Sequence, residues 1–214
     1  MSGPVTSPPV ALGALDLAAL LWSRICHDLI SPVGAIVNGL EVMEEDKDEE
    51  TKTFALDLIK KSARQASAKL QFCRLAFGAA GSAGAQIDLG DAEKVARGLL
   101  GDDKTTIEWN LPRELLPKNR VKLVLNMLMV ATGTIPRGGK LKVDPVDGAA
   151  GFRVTATGLN ARLAEATPLL LVGNPTQSVD AHAIQPVYTG ILARDCGLTV
   201  SAVVEGDAVV VTAK

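Results

Sequence analysis

From Trp22 to Met43 the apolar residues Trp22, Ile25, Leu29, Val33, Ile36, Leu40 and Met43 recur at steps of three or four. That is the period of one face of an α-helix. After the acidic turn Glu44–Glu50, "EEDKDEE", the same spacing resumes at Ala55, Ile59, Ser62/Ala63, Ala66, Leu70, Cys73 and Phe77. Two long helices joined by a tight turn make an antiparallel hairpin, expected over residues 1–80. A lone pair leaves apolar surface uncovered, and two pairs packed as a four-helix bundle would cover it. The expected state is a homodimer.

The run "GAAGSAGA", Gly78 to Ala85, reads as a flexible linker and domain boundary. Beyond it the pattern becomes mixed. Strands are expected at Ile87–Leu89, Thr105–Asn110, Leu141–Val146 and Phe152–Thr157, with a closing strand pair, "LTVSAVV" and "AVVVTA", around a Gly-Asp turn. Helices are expected around Asp91–Leu100, Lys118–Thr134, Ala161–Leu171 and Ala181–Cys196. The fold class is α+β: a helical hairpin over 1–80, then an α/β sandwich over 86–214 with helices on one face.

A net charge of −2 gives no basic footprint for nucleic acid, and 3% aromatic residues supply no base-stacking platform. Apolar runs such as "LDLAALLW" are too short to span a bilayer, and the N-terminus lacks a basic leader. Three cysteines without CxxC spacing suggest reduced thiols and a cytoplasmic setting. Cys26 and Cys73 read as small core-facing hydrophobes. The two histidines are far apart, with no zinc-ligand spacing. No metal or cofactor is expected to be bound by the chain itself.

One of those histidines interrupts the first helix with unusual company. "HDLISPVGAI" brings an acid beside His27, a proline at 32 and a glycine at 34. At about 100° per residue, His27 points about 160° away from both Ile25 and Leu29, toward solvent. Arg24, Ser31, Gly34 and Asn38 stack with it on that outer face. A neutral imidazole is a good nucleophile near neutral pH, and Asp28 is placed to orient one ring nitrogen. Pro32 has no N–H and crowds the Asp28 carbonyl one turn earlier, which predicts a kink. Gly34 and Gly39 each cost about 1 kcal/mol relative to Ala. Such choices on an exposed face suit a docking surface, although an ordinary surface histidine in a dimerising hairpin fits position alone. Ser31 either positions a hydrolytic water or simply faces the helix.

The string closely resembles the H-box of sensor histidine kinases: His, acid, Leu, two variable positions, Pro, aliphatic, two variable positions, Ile. His27, Asp28, Leu29, Pro32, Val33 and Ile36 match it. The resemblance implies that His27 carries a phosphoryl group and that the hairpin dimerises. Downstream, "LVLNMLMVATGTIPRGGKLKV" is similar to the kinase N-box helix and following strand, with Asn126 at its first asparagine. Val130 stands where the magnesium-binding asparagine would, Ala156 where the adenine-binding aspartate would, and Asn160 in place of a glycine; Gly158 alone survives. An aliphatic side chain cannot ligate Mg²⁺, and transfer from ATP then loses its main electrostatic support.

A kinase outline without nucleotide ligands resembles the ChpT-type histidine phosphotransferases of the alphaproteobacterial cell-cycle relay. That resemblance implies dimers that pass phosphoryl groups between receiver domains, with Mg²⁺ supplied by the receiver. It implies a hybrid kinase of the CckA type upstream and CtrA- and CpdR-type regulators downstream. Arg24, Ser31, Pro32, Gly34 and Asn38 are the expected receiver-binding residues. The alternatives are a histidine kinase with a divergent nucleotide site and a non-catalytic dimeric adaptor. His182, near a helix start, has no kinase-like context.

Overall fold

The computed structural model describes residues 12–78, 84–146, 150–173 and 179–214. Most of the expected linker and the N-terminal segment read for a leader lie outside the described residues. Helix α1 (Ala14–Glu45) and helix α2 (Glu49–Ala76) form the hairpin. Asp48 caps α2: its carboxylate accepts from the Thr51 amide at 2.8 Å, and that bond holds its pKa below the usual value. Glu49 and Glu50 in the first turn complement the helix dipole.

Small residues make the contact between the two helices. Pro32 and Gly39 are the buried residues of α1; Ala55, Ser62 and Ala66 are buried along α2. A Cβ on Gly39 would stand 2.7 Å from Ile59 Cγ1, so glycine there permits close approach of the helices. Gly39 therefore serves packing and is not part of an exposed docking face.

The apolar seam read from the sequence divides in two. Ile25, Leu29, Ile36 and Met43 are partly buried, whereas Trp22, Val33 and Leu40 are exposed. Together with Leu15, Ile30 and Val37 they form an open apolar stripe along α1, roughly 120° round from the Pro32–Gly39 face. By length and composition alone α1 could cross a membrane, but it carries the Arg24–Asp28 ion pair and lies against α2.

The second layer is a five-stranded sheet, order β2-β4-β5-β7-β6, built from β2 (Thr105–Trp109), β4 (Gly139–Val146), β5 (Gly151–Thr157), β6 (Val200–Glu205) and β7 (Ala208–Ala213). Among the described strands only β2 and β4 pair in parallel. Leu141, Val143, Phe152, Val154, Ala156, Val209 and Val211 are buried beneath α3 (Leu89–Leu100), α4 (Lys118–Thr132) and α6 (Ile184–Asp195). The opposite face is polar: Glu108 pairs with Lys140 and Lys142, and Lys142 with Asp144. This alternation is what a sheet covered on one side requires.

Three boundaries differ from the sequence reading. A short ladder of β1 (Gln86–Asp88) with β3 (Leu115–Pro117) stands apart from the main sheet, and β3 gave no strand signal. Helix α5 (Ala166–Leu171) starts five residues later than expected. Helix α6 starts three residues later than expected, at Ile184, after a turn in which Asp180 Oδ1 accepts from the amides of His182 and Ala183, at 2.9 and 2.8 Å. Helix α1 continues through Pro32 from Ala14 to Glu45.

The core runs across both parts of the chain. Phe72 and Ala76, at the end of α2, are fully buried in the same cluster as Leu125, Leu128 and Val154. Asn126 ties the joint together: its amide donates to the Ala76 and Lys122 carbonyls, at 3.0 and 2.8 Å, and its oxygen accepts from Gln185 at 2.7 Å. This continuity positions the C-terminal layer against the middle of α1.

Candidate functional site

His27 projects from α1 with 70% of its side chain exposed. Its Nδ1 lies 3.7 Å from Asp28 Oδ1, too long for a hydrogen bond but within reach of an ion pair once the ring is cationic. Nε2, on the far side of the ring, is the nitrogen left for chemistry. The other oxygen of Asp28 accepts from Arg24 Nε at 3.0 Å, so Asp28 is itself held from one turn away.

The residues expected to bind a receiver part company. Ser31 and Asn38 are exposed, and beyond a Cβ on Gly34 there is nothing within 4 Å; these three share the His27 face. Pro32 does not, because it is buried between the helices. Arg24 is only 25% exposed. It turns toward Asp28 and lines two clefts between α1 and the C-terminal layer. Removing the proline N–H leaves the Asp28 carbonyl without its helical donor, and Lys69 Nζ of α2 donates to that oxygen at 2.5 Å.

His182, which the sequence left without a context, lies beside His27. The two imidazoles meet edge to face, with centroids 5.6 Å apart and an interplanar angle of 66°. Neither this contact nor the role of Lys69 carried a local signal. The only hint was a lysine near the small-residue seam of α2.

The C-terminal layer opens beside this pair as a cleft of about 560 Å³, lined in part by Val130, Gly133, Thr134, Arg162, Leu170 and His182. Val130 and Ala156 are 7% and 0% exposed, and neither has a group to hold Mg²⁺ or an adenine. Asn126 is committed to the joint between α2, α4 and α6. Gly158 is retained for packing, since a Cβ there would strike the Gly138 carbonyl. The residues present do not fit a nucleotide and its metal.

Comparison with known proteins gives the class. A family described as "Histidine phosphotransferase C-terminal domain" matches residues 89–208. A solved bacterial phosphotransferase is similar with a TM-score of 0.86 and 48% identity, over 97% of this chain and all of the other. The chain is 52% identical over 198 residues to the protein phosphotransferase ChpT of Brucella abortus (strain 2308), covering 91% of this chain and 93% of that one. A histidine kinase domain from Erythrobacter litoralis is more distant, at a TM-score of 0.43 and 12% identity. The family match and the likeness to the two phosphotransferases define a protein phosphotransferase. The chain belongs to the histidine phosphotransferase family.

Proposed function

We propose that the protein is a phosphorelay intermediate whose phosphoryl carrier is His27. The lone pair of His27 Nε2 attacks the phosphorus of a receiver's aspartyl phosphate. The N–P bond forms as the P–O bond breaks, and the aspartate leaves as a carboxylate. The proton stays on Nδ1, where the Asp28 carboxylate 3.7 Å away offsets the new positive charge. The reverse step delivers the phosphoryl group to a second receiver's aspartate. Mg²⁺ acts in the receiver's acidic pocket, and ATP takes no part.

The observation that carries this reading is an exposed imidazole on an uncrowded helix face, next to a domain whose nucleotide positions hold Val130 and Ala156. The open stripe from Leu15 to Leu40 supports a homodimer joined through the hairpins. In this reading the relay is cytoplasmic and belongs to the bacterial cell cycle. The donors and acceptors are receiver domains of a CckA-type hybrid kinase and of CtrA- and CpdR-type regulators.

The test is incubation with a panel of phosphorylated receiver domains. The wild-type chain takes label from at least one, and His27→Gln, still folded, takes none. Full labelling of His27→Gln would overturn the assignment.

A further inference from the structure

We propose that His182 is a positioning residue for phosphoryl transfer, holding the His27 imidazole in its reactive orientation from the C-terminal layer. The inference rests on His27 being the phosphoryl carrier.

An exposed histidine on a helix has two freely rotating side-chain bonds, and most of its orientations present the wrong atom to a partner. Asp28 does not fix the ring, because its nearer oxygen is 3.7 Å from Nδ1 and its other oxygen is bonded to Arg24. The contact that does restrict it comes from His182, at 5.6 Å between centroids and 66° between planes. Edge-to-face pairs of this geometry are attractive in their own right.

His182 is in turn not free to wander. Its amide and that of Ala183 are both bound by the Asp180 carboxylate, and the next residue, Ile184, is fully buried at the start of α6. Asp180 therefore fixes the backbone, the backbone places His182, and His182 braces His27. This chain of contacts gives the C-terminal layer, which has no nucleotide ligands, a direct hold on the phosphotransfer ring.

A positioning contact acts on the bound complex and leaves receiver affinity alone. Single-turnover transfer from the phosphorylated receiver domain of a CckA-type hybrid kinase is measured with His182→Ala and His182→Phe, across receiver concentrations. At saturation, His182→Ala should transfer about three- to tenfold more slowly, the range set by losing one aromatic pair. Its half-saturating receiver concentration and melting temperature should stay near those of the wild type. His182→Phe keeps the ring contact without the ring nitrogens and should recover most of the rate. The His27 ring-proton resonances should also move in His182→Ala, as the neighbouring ring current is lost.

Wild-type rates in His182→Ala overturn the inference. A change confined to the half-saturating concentration also overturns it, since that would make His182 a receiver contact. A His182→Phe variant as slow as His182→Ala overturns it too, because a ring nitrogen would then be doing the chemistry. If instead the label is found on a residue other than His27, the carrier assignment is what fails.

Discussion

Lys69 Nζ donates to the Asp28 carbonyl oxygen, the one acceptor in α1 that Pro32 deprives of its helical partner. The proline sits one turn after Asp28, so the gap it opens lies at the residue next to His27. A cation from the second helix closes that gap and joins the two arms of the hairpin at the level of the site.

Lys69→Met should therefore destabilise the protein by about 1–2 kcal/mol, the cost of leaving a partly buried carbonyl unpaired. In a Pro32→Ala background the restored N–H takes over the Asp28 carbonyl, and the same lysine substitution should cost much less. Chemical denaturation of the four proteins in this cycle measures the coupling, expected at about 1 kcal/mol. Equal losses in both backgrounds would show that Lys69 acts elsewhere.

Two of the three cysteines should be slow to alkylate. Burial, reinforced by the Asp28 carboxylate, raises the Cys73 thiol to a pKa of about 11. Burial and Asp195 raise Cys196 likewise to about 11. Both start from an ordinary value of 9.0, so at pH 8 the reactive thiolate is scarcer by a factor of about ten to a hundred. Timed iodoacetamide labelling read by mass spectrometry should find both lagging in the folded protein. In denaturant they should react at the rate of a free thiol.

The hairpin was legible because its signal is periodic and local, and the exposure of His27 was legible because the helical period turns it away from Ile25 and Leu29. What the string could not reveal is which way each neighbour faces. The seam drawn through Trp22, Val33 and Leu40 averaged the α2 contact with the open stripe, because both occupy adjoining sectors of the same helix. Pro32 is among the expected receiver-binding residues, and the helix turns it inward. His182 was invisible for a different reason. Its contact with His27 exists only because α6 docks across α1, and that docking is set by the core around Asn126, Phe72 and Gln185. Strand β3 is three residues long and ends in Pro117, too short to carry an alternating pattern.

The open stripe makes the assembly testable without touching the site. Val33 and Val37 are 48% and 49% exposed and lie roughly 80–120° round the helix from His27. Replacing both with Glu should leave the hairpin fold intact, since neither is buried within the chain. If the stripe joins two hairpins, four added charges in the bundle should yield a monomer by light scattering at micromolar concentration. An unchanged dimer would place the interface elsewhere.

The two glycines of α1 should respond in opposite directions. A methyl at Gly34 enters open space, so Gly34→Ala gains helix propensity and should stabilise the fold by about 0.5–1 kcal/mol. A methyl at Gly39 would stand 2.7 Å from Ile59 Cγ1 and 3.4 Å from the Ala55 carbonyl oxygen. The helices must separate or Ile59 must move, and Gly39→Ala should cost about 1–3 kcal/mol despite the same propensity gain. Function separates them as well. Gly34 shares the His27 face, so Gly34→Leu should keep the fold but slow transfer from a phosphorylated receiver, because the larger side chain fills the space the partner's helix needs beside the imidazole. Melting temperatures measured beside gel-based transfer rates read both effects. Wild-type transfer by Gly34→Leu would mean that the receiver approaches His27 from another side, which leaves the His182 flank as the remaining route.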